Sequence, residues 1–210
     1  MAIDRKPFCK PYPFIGIRIV ESEDQYMRAI RGYAASLWRG SITQFDFIDA
    51  MVTAISYYLT KAWNEGALAA GVTPDEMTED EISARTDMVN GQYNHIIGLS
   101  EYIMTNNRDT GALLRSLFPR LELWSSRYSE AYMKGMVMAN LDEKQIWVLG
   151  NSKKHCSSCA SLAGQVRRGS FWMAHIQPRD QRLECNGYRC NCDLIRTNAP
   201  ISRGRLPGGF

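Results

Sequence analysis

Between residues 22 and 141 apolar side chains recur at steps of three and four, the spacing that lines one face of an α-helix. Ser22 is placed as an N-cap before the series Tyr26, Met27, Ile30, Tyr33, Ala34, Leu37 and Trp38, and Gly40 offers a left-handed stop. Phe45, Ile48, Val52, Ile55, Leu59 and Ala62 form the next stripe. Ser41 with Gln44 fits a capping box at its start, and Gly66 or Gly71 fits its end. Thr73 and Pro74 restart the chain as N-cap and first helical residue, with a further start available at Thr78. From Ile82 through Thr86, Val89, Tyr93, Ile96 and Leu99 to Ile103 the spacing predicts one long helix. Asn106 to Gly111 reads as a turn and Leu113 to Phe118 as a short apolar run. Pro119 then opens a helix carrying Leu123, Trp124, Tyr128, Tyr132 and Met136. The many aromatics on these helices, and His95 beside one stripe, read as packing residues.

After Asp142 the period changes. Gln145 to Leu149 has the character of a strand, Gly150 to Lys154 of a turn, and Gly164 to Gly169 of one arm of a hairpin. Pro200, Gly204, Pro207, Gly208 and Gly209 leave the end of the chain without a core-forming pattern, so it is expected to order only against a partner. The expected fold is therefore mainly α. An N-terminal arm (1–21) leads into an antiparallel helical body (22–142), a small Cys-rich module with a short β-hairpin (143–196) and an extended tail (197–210).

Composition adds bounds. A chain of 210 residues with 45% hydrophobic and 22% charged residues has the proportions of a globular protein. No run of about 18 apolar residues predicts a membrane-spanning helix. Asp4, Arg5, Lys6 and Lys10 stand where an export signal needs its apolar run. The net charge of +3 is unevenly spread. From residue 153 onward two lysines and eight arginines face only Asp180, Glu184 and Asp193, a net of +7, which leaves −4 for the first 152 residues. Arg167, Arg168, Arg179, Arg182, Arg189 and Arg196 are thus candidates for a surface that meets nucleic acid or another acidic partner.

Cysteine usage is just as lopsided. Cys9 stands apart, whereas Cys156, Cys159, Cys185, Cys190 and Cys192 form a C-x2-C, a gap of 25 residues and a C-x4-C-x-C. Thiolates three positions apart in a tight turn can face one ion at about 2.3 Å, and a distant second group can complete a tetrahedron. Four of the five thiols around one structural zinc, or disulfides among them, both fit this spacing, with His155 and His175 as further candidate ligands. No nucleophile elbow, phosphate loop, H-E-x-x-H or G-x-G-x-x-G occurs, and a site closed by four cysteines has no open position for catalysis. The expectation is a binding protein, not an enzyme, with no small-molecule substrate.

The residues around the cysteines are more specific than their spacing. Trp147-Val148-Leu149, then His155-Cys156-Ser157-Ser158-Cys159-Ala160-Ser161-Leu162-Ala163-Gly164-Gln165-Val166, then Pro178, and finally Gly187-Tyr188-Arg189-Cys190-Asn191-Cys192-Asp193-Leu194, resemble the C-terminal module of the phage Mu F-like minor head proteins. The helices upstream resemble that family's helical region, so the likeness spans roughly residues 30 to 196. The chain departs from the family pattern in having one proline, Cys185 where a histidine is usual, and Asn191 between the last two cysteines. The resemblance implies a structural head-morphogenesis protein of the virion, made in the host cytoplasm. It would contact the portal protein, the major capsid protein or packaged DNA. A zinc-ribbon-like nucleic-acid module on a helical scaffold is the competing expectation.

Overall fold

The computed structural model describes residues 15–187 and 190–207, with side chains from Ser22 onward. Five long helices form the body: α1 (Ile15–Trp38), α2 (Gln44–Ala69), α3 (Glu79–Asn90), α4 (Asn94–Thr105) and α5 (Phe118–Met138). The module follows with β1 (Lys144–Val148), α6 (Ser157–Leu162), β2 (Val166–Arg168), α7 (Gly169–Ala174) and β3 (Asp193–Arg196). The mainly helical class with a small antiparallel sheet is as the periodicity indicates.

Local capping chemistry fixes where the helices begin, and it differs from expectation at two of them. α1 already runs from Ile15, so Ser22 lies buried inside it and caps nothing. Of the arm expected over residues 1–21, the last seven belong to α1, and residues 1–14, Cys9 among them, lie outside the described residues. α2 is capped by Thr43, not Ser41. The Asp46 amide donates to Thr43 Oγ1 at 3.1 Å, and the Thr43 amide donates back to the Asp46 carboxylate at 3.0 Å. Such a reciprocal box satisfies two otherwise orphaned donors. Thr78 and Glu81 form the same box on α3, and Thr73 with Glu76 caps a short 3₁₀ turn, Pro74–Glu76. Gly40 and Gly71 take the left-handed conformation after α1 and α2, with φ of 71° and 89°.

The long helix expected from Ile82 to Ile103 is broken. Asn90 and Gly91 are poor helix formers. Around them the bonding tightens to i→i+3, with the Gln92 amide on the Val89 carbonyl and the Tyr93 amide on that of Asn90. α3 and α4 result. Val89, Ile96, Leu99 and Ile103 are buried as the stripe requires, while Ile82 and His95 are exposed.

The face of α2 is also rotated from the expected one. Ile55, Leu59 and Ala62 are buried, but Phe45 is 78% exposed, and Phe47, Met51, Ala54 and Trp63 lie in the core while Ile48 and Val52 pack partly buried at its margin. Both stripes obey helical spacing, so the neighbouring helices decide between them. α5 packs along α2 so closely that a Cβ on Gly66 would stand 2.0 Å from the Tyr132 carbonyl oxygen. A Cβ on Gly135 would stand 2.2 Å from that of Trp63. Two glycines thus permit backbone-to-backbone contact at this crossing.

α5 belongs to two cores. Leu121, Trp124, Tyr128 and Ala131 pack into the helical body, and Met133 and Val137 pack under the module with Trp147, Trp172, Leu162, Ile176, Leu183 and Leu194. The expected hairpin is part of a three-stranded antiparallel sheet of order β2-β1-β3, with Ile146 opposite both Val166 and Ile195 and Trp147 opposite Leu194.

The tail does not wait for a partner. The Ser202 amide donates to the Val166 carbonyl at 3.0 Å and the Val166 amide donates to Ser202 Oγ at 2.9 Å. Residues around Ser202 thus close the outer edge of β2, and Leu206 is buried in the module's core.

The glycine crossing gives a direct expectation. Gly66→Ala and Gly135→Ala should each lower stability by about 2–3 kcal/mol, because the added methyl has to push two backbones apart. Gly98, in α4 with nothing within 4 Å of its Cβ position, is the control. Gly98→Ala should raise stability by about 0.5–1 kcal/mol. Urea denaturation followed by far-UV circular dichroism measures all three, and equal effects would contradict the crossing.

Candidate metal centre

The site is assembled from two loops held together by a carboxylate. Cys156 caps α6: the Cys159 amide donates to Cys156 Sγ at 3.4 Å, so the C-x2-C spacing turns both thiols to one side. Ser157 donates to Glu184 through its amide at 2.7 Å and its hydroxyl at 2.5 Å. The Glu184 amide donates in return to Ser158 Oγ at 3.1 Å. This clamp delivers Cys185 to Cys156. Two glycines then admit the last loop. A Cβ on Gly187, whose φ is 73°, would lie 2.1 Å from the Arg179 carbonyl oxygen, and one on Gly150 would lie 1.9 Å from that of Asn191.

The five expected cysteines come together. The thiols of Cys156, Cys159 and Cys185 lie within 4.8 Å of one another, and so do those of Cys159, Cys190 and Cys192. All five are free thiols. Cys159 Sγ and Cys190 Sγ are 3.7 Å apart, close to the roughly 3.8 Å edge of a tetrahedron with metal–sulfur bonds of about 2.3 Å. The cluster can therefore hold a metal ion through soft thiolate donors. Hydrogen bonds from Cys159 and Cys192 stabilise a thiolate on Cys190, whose pKa falls to about 2. The proton is kept on Cys159, whose pKa is raised chiefly by its bonds to those same two cysteines. Burial is the first cause that pushes Cys185 up, to about 12. The two histidines separate: His155 Nδ1 is 4.0 Å from Cys192 Sγ, whereas His175 stacks on Phe171 at 4.0 Å and contacts the Phe171 carbonyl through Nδ1.

The arginines do not form one free basic face among the described residues. Arg167 is only 4% exposed. Its guanidinium donates to the carbonyls of Val166, Ser202 and Gly204, tying the tail to β2. Arg168 is exposed and donates to the Asp142 carbonyl at 2.6 Å. Arg179 pairs with Asp193 at 3.0 Å, Arg182 with Asp180 at 2.6 Å and Arg196 with Glu143 at 2.9 Å. Arg189 lies outside the described residues. Three of these guanidiniums meet carboxylates and two bond backbone carbonyls, so the positive excess does not gather on one arginine face.

The sequence did not show what several residues do in building the site. Glu184, Gly150 and Gly187 act across 27 or more residues or through backbone approach. Trp172 is fully buried and donates through Nε1 to the Gln145 carbonyl at 3.1 Å, 5.6 Å from the Trp147 ring.

No protein-family model, curated protein or solved structure matches the chain. Among the described residues no helix is long and apolar enough to cross a membrane.

Two expectations test this geometry. Arg167→Gln should destabilise the module by about 2 kcal/mol, since it removes charged hydrogen bonds to the tail, whereas Arg168→Gln should leave thermal unfolding unchanged. Bonds from Ser157 hold the Glu184 carboxyl below its ordinary value of 4.5. A depressed carboxylate stabilises fully above that ordinary value, and the contribution is lost as pH falls through the folded-state value. The stability of Glu184→Gln should accordingly vary less with pH below 4.5 than that of the wild type. Parallel acid titrations monitored by tryptophan fluorescence read the difference, and superimposable curves would remove Glu184 from this role.

Proposed function

We propose that this chain is a structural protein of a phage head, a minor head or head-morphogenesis component that docks on the portal or the inner capsid and assists head assembly or genome delivery. One observation carries the reading. The residues that resemble the Mu F-like module are also the residues of a single core: Trp147, Cys159, Leu162, Cys190, Cys192 and Leu194 pack together beneath α5. The resemblance thus lies in a connected structural unit and not in scattered surface matches. The module's metal is zinc on this reading, bound for rigidity: a core this small gains stability from a cross-link that its apolar area alone supplies poorly.

The helical body provides the docking surface. Phe45, Tyr57, Ile97, Leu113 and Leu123 are all more than half exposed on it, which suits contact with protein subunits. Paired guanidiniums argue for portal or major capsid contacts over packaged DNA as the main attachment. Phosphate contacts would first have to break ion pairs such as Arg179–Asp193. The same pairing weighs against the zinc-ribbon nucleic-acid reading.

Mass spectrometry of purified particles and of head precursors from the source phage should find the chain in few copies per head. In co-sedimentation with head precursors, Phe45→Asp or Ile97→Asp should weaken association, and replacing Arg168 and Arg182 with Gln should change it little at any salt concentration. Absence from both particles and precursors would overturn the proposal. Tight, sequence-preferring DNA binding by the isolated chain would favour the nucleic-acid reading in its place.

A further inference from the structure

We propose that the module binds two soft divalent ions, not one, with the Cys159 thiolate shared between them. This rests on the reading of the cysteine module as metal-bound. A single four-coordinate ion needs four donors all about 3.8 Å from one another. Among the described residues the mutually close donor groups stop at three, and there are two of them: Cys156, Cys159 and Cys185, and Cys159, Cys190 and Cys192. They meet only at Cys159. The arrangement is that of two faces hinged on one sulfur, and a thiolate sulfur has lone pairs enough to bond two ions.

The two faces differ in surroundings, and each has a source for its fourth ligand. On the inner face Cys159, Cys190 and Cys192 are all buried, and the half-buried His155, with Nδ1 4.0 Å from Cys192 Sγ, stands just outside this triad and has to close onto the ion as it binds. A neutral imidazole is a good partner for thiolates on a zinc-class ion. On the outer face Cys156 and Cys185 are half-exposed, so solvent can supply the missing donor.

Charge favours two ions as well. Four thiolates around one dication leave an excess of two negative charges in a partly buried site, and burying uncompensated charge is costly. Two dications held by all five thiolates reduce the excess to one. Loading is a balanced exchange in which every sulfur that still carries a proton releases it to solvent as the two dications bind, with no oxidant or reductant. A single ion, by contrast, leaves a fifth thiol crowded against the cluster with no role.

Native mass spectrometry of the full-length protein, purified reduced and loaded with zinc alone, is the primary test. The expected result is two zinc ions per chain. Cys185→Ser should reduce this to one, because it dismantles only the outer face. His155→Asn should weaken the inner ion at least tenfold in competition with a chelator while the outer ion is retained. Cadmium-113 exchange makes the shared sulfur visible without any substitution: two resonances mutually coupled through the bridging thiolate are expected from the wild type. One ion per chain would overturn the two-ion site and leave the metal-held module standing. Two ions with uncoupled resonances would overturn the shared Cys159. A metal-free chain, whether its thiols are reduced or oxidised, would overturn the metal-bound reading itself, and the two-ion site with it.

Discussion

The close crossing of α2 and α5 is the constraint on which the rest of the molecule depends. Gly66 and Gly135 let the two backbones meet where any side chain would collide with a carbonyl. That contact sets the height and direction of α5. The N-terminal part of α5 then closes the helical core through Leu121, Trp124 and Tyr128, and its last turns offer Met133 and Val137 to the module. A shift of α5 would be felt in both cores at once, because close-packed interiors transmit displacement rather than absorb it.

The module shows how a small unit with limited apolar area is made rigid. Trp147 and Trp172 are fully buried, each contributing on the order of 2–3 kcal/mol of hydrophobic stabilisation. Around them the chain is held by polar links between segments distant in sequence: Glu184 to Ser157, Arg167 to Ser202 and Gly204, and Lys144 to the Asn198 and Ala199 carbonyls. The cysteines stand where the two loops converge. A metal there would join α6 to the loops before β3, the part of the module with the fewest ladder bonds.

Charge behaves differently from cysteine in this chain. All three acidic residues beyond residue 152 are engaged: Asp180 and Asp193 with arginines, and Glu184 with Ser157. The arginines they meet serve mainly to fix loop geometry. Net charge records an excess but not which guanidiniums are free, and that depends on neighbours brought in by folding.

Helical periodicity, turn residues and the change of pattern after Asp142 were enough to indicate a mainly helical chain with a small antiparallel sheet, and the cysteine spacing a cluster near its end. Those features are local, or rest on residue types whose chemistry has few uses. Only the tertiary structure decided the rest. Phe45 and Phe47 both satisfy a helical stripe, and the neighbours of α2 chose Phe47. Ser41, Thr43 and Ser22 are all competent caps, and the actual start of each helix selected Thr43 alone. The tail carries no core pattern, yet the open edge of β2 and the buried Arg167 give its backbone partners. The cysteine spacing allowed any four ligands, while the fold sorted them into two triads that meet at Cys159. In each case the sequence offered several local solutions of nearly equal energy, and long-range packing separated them.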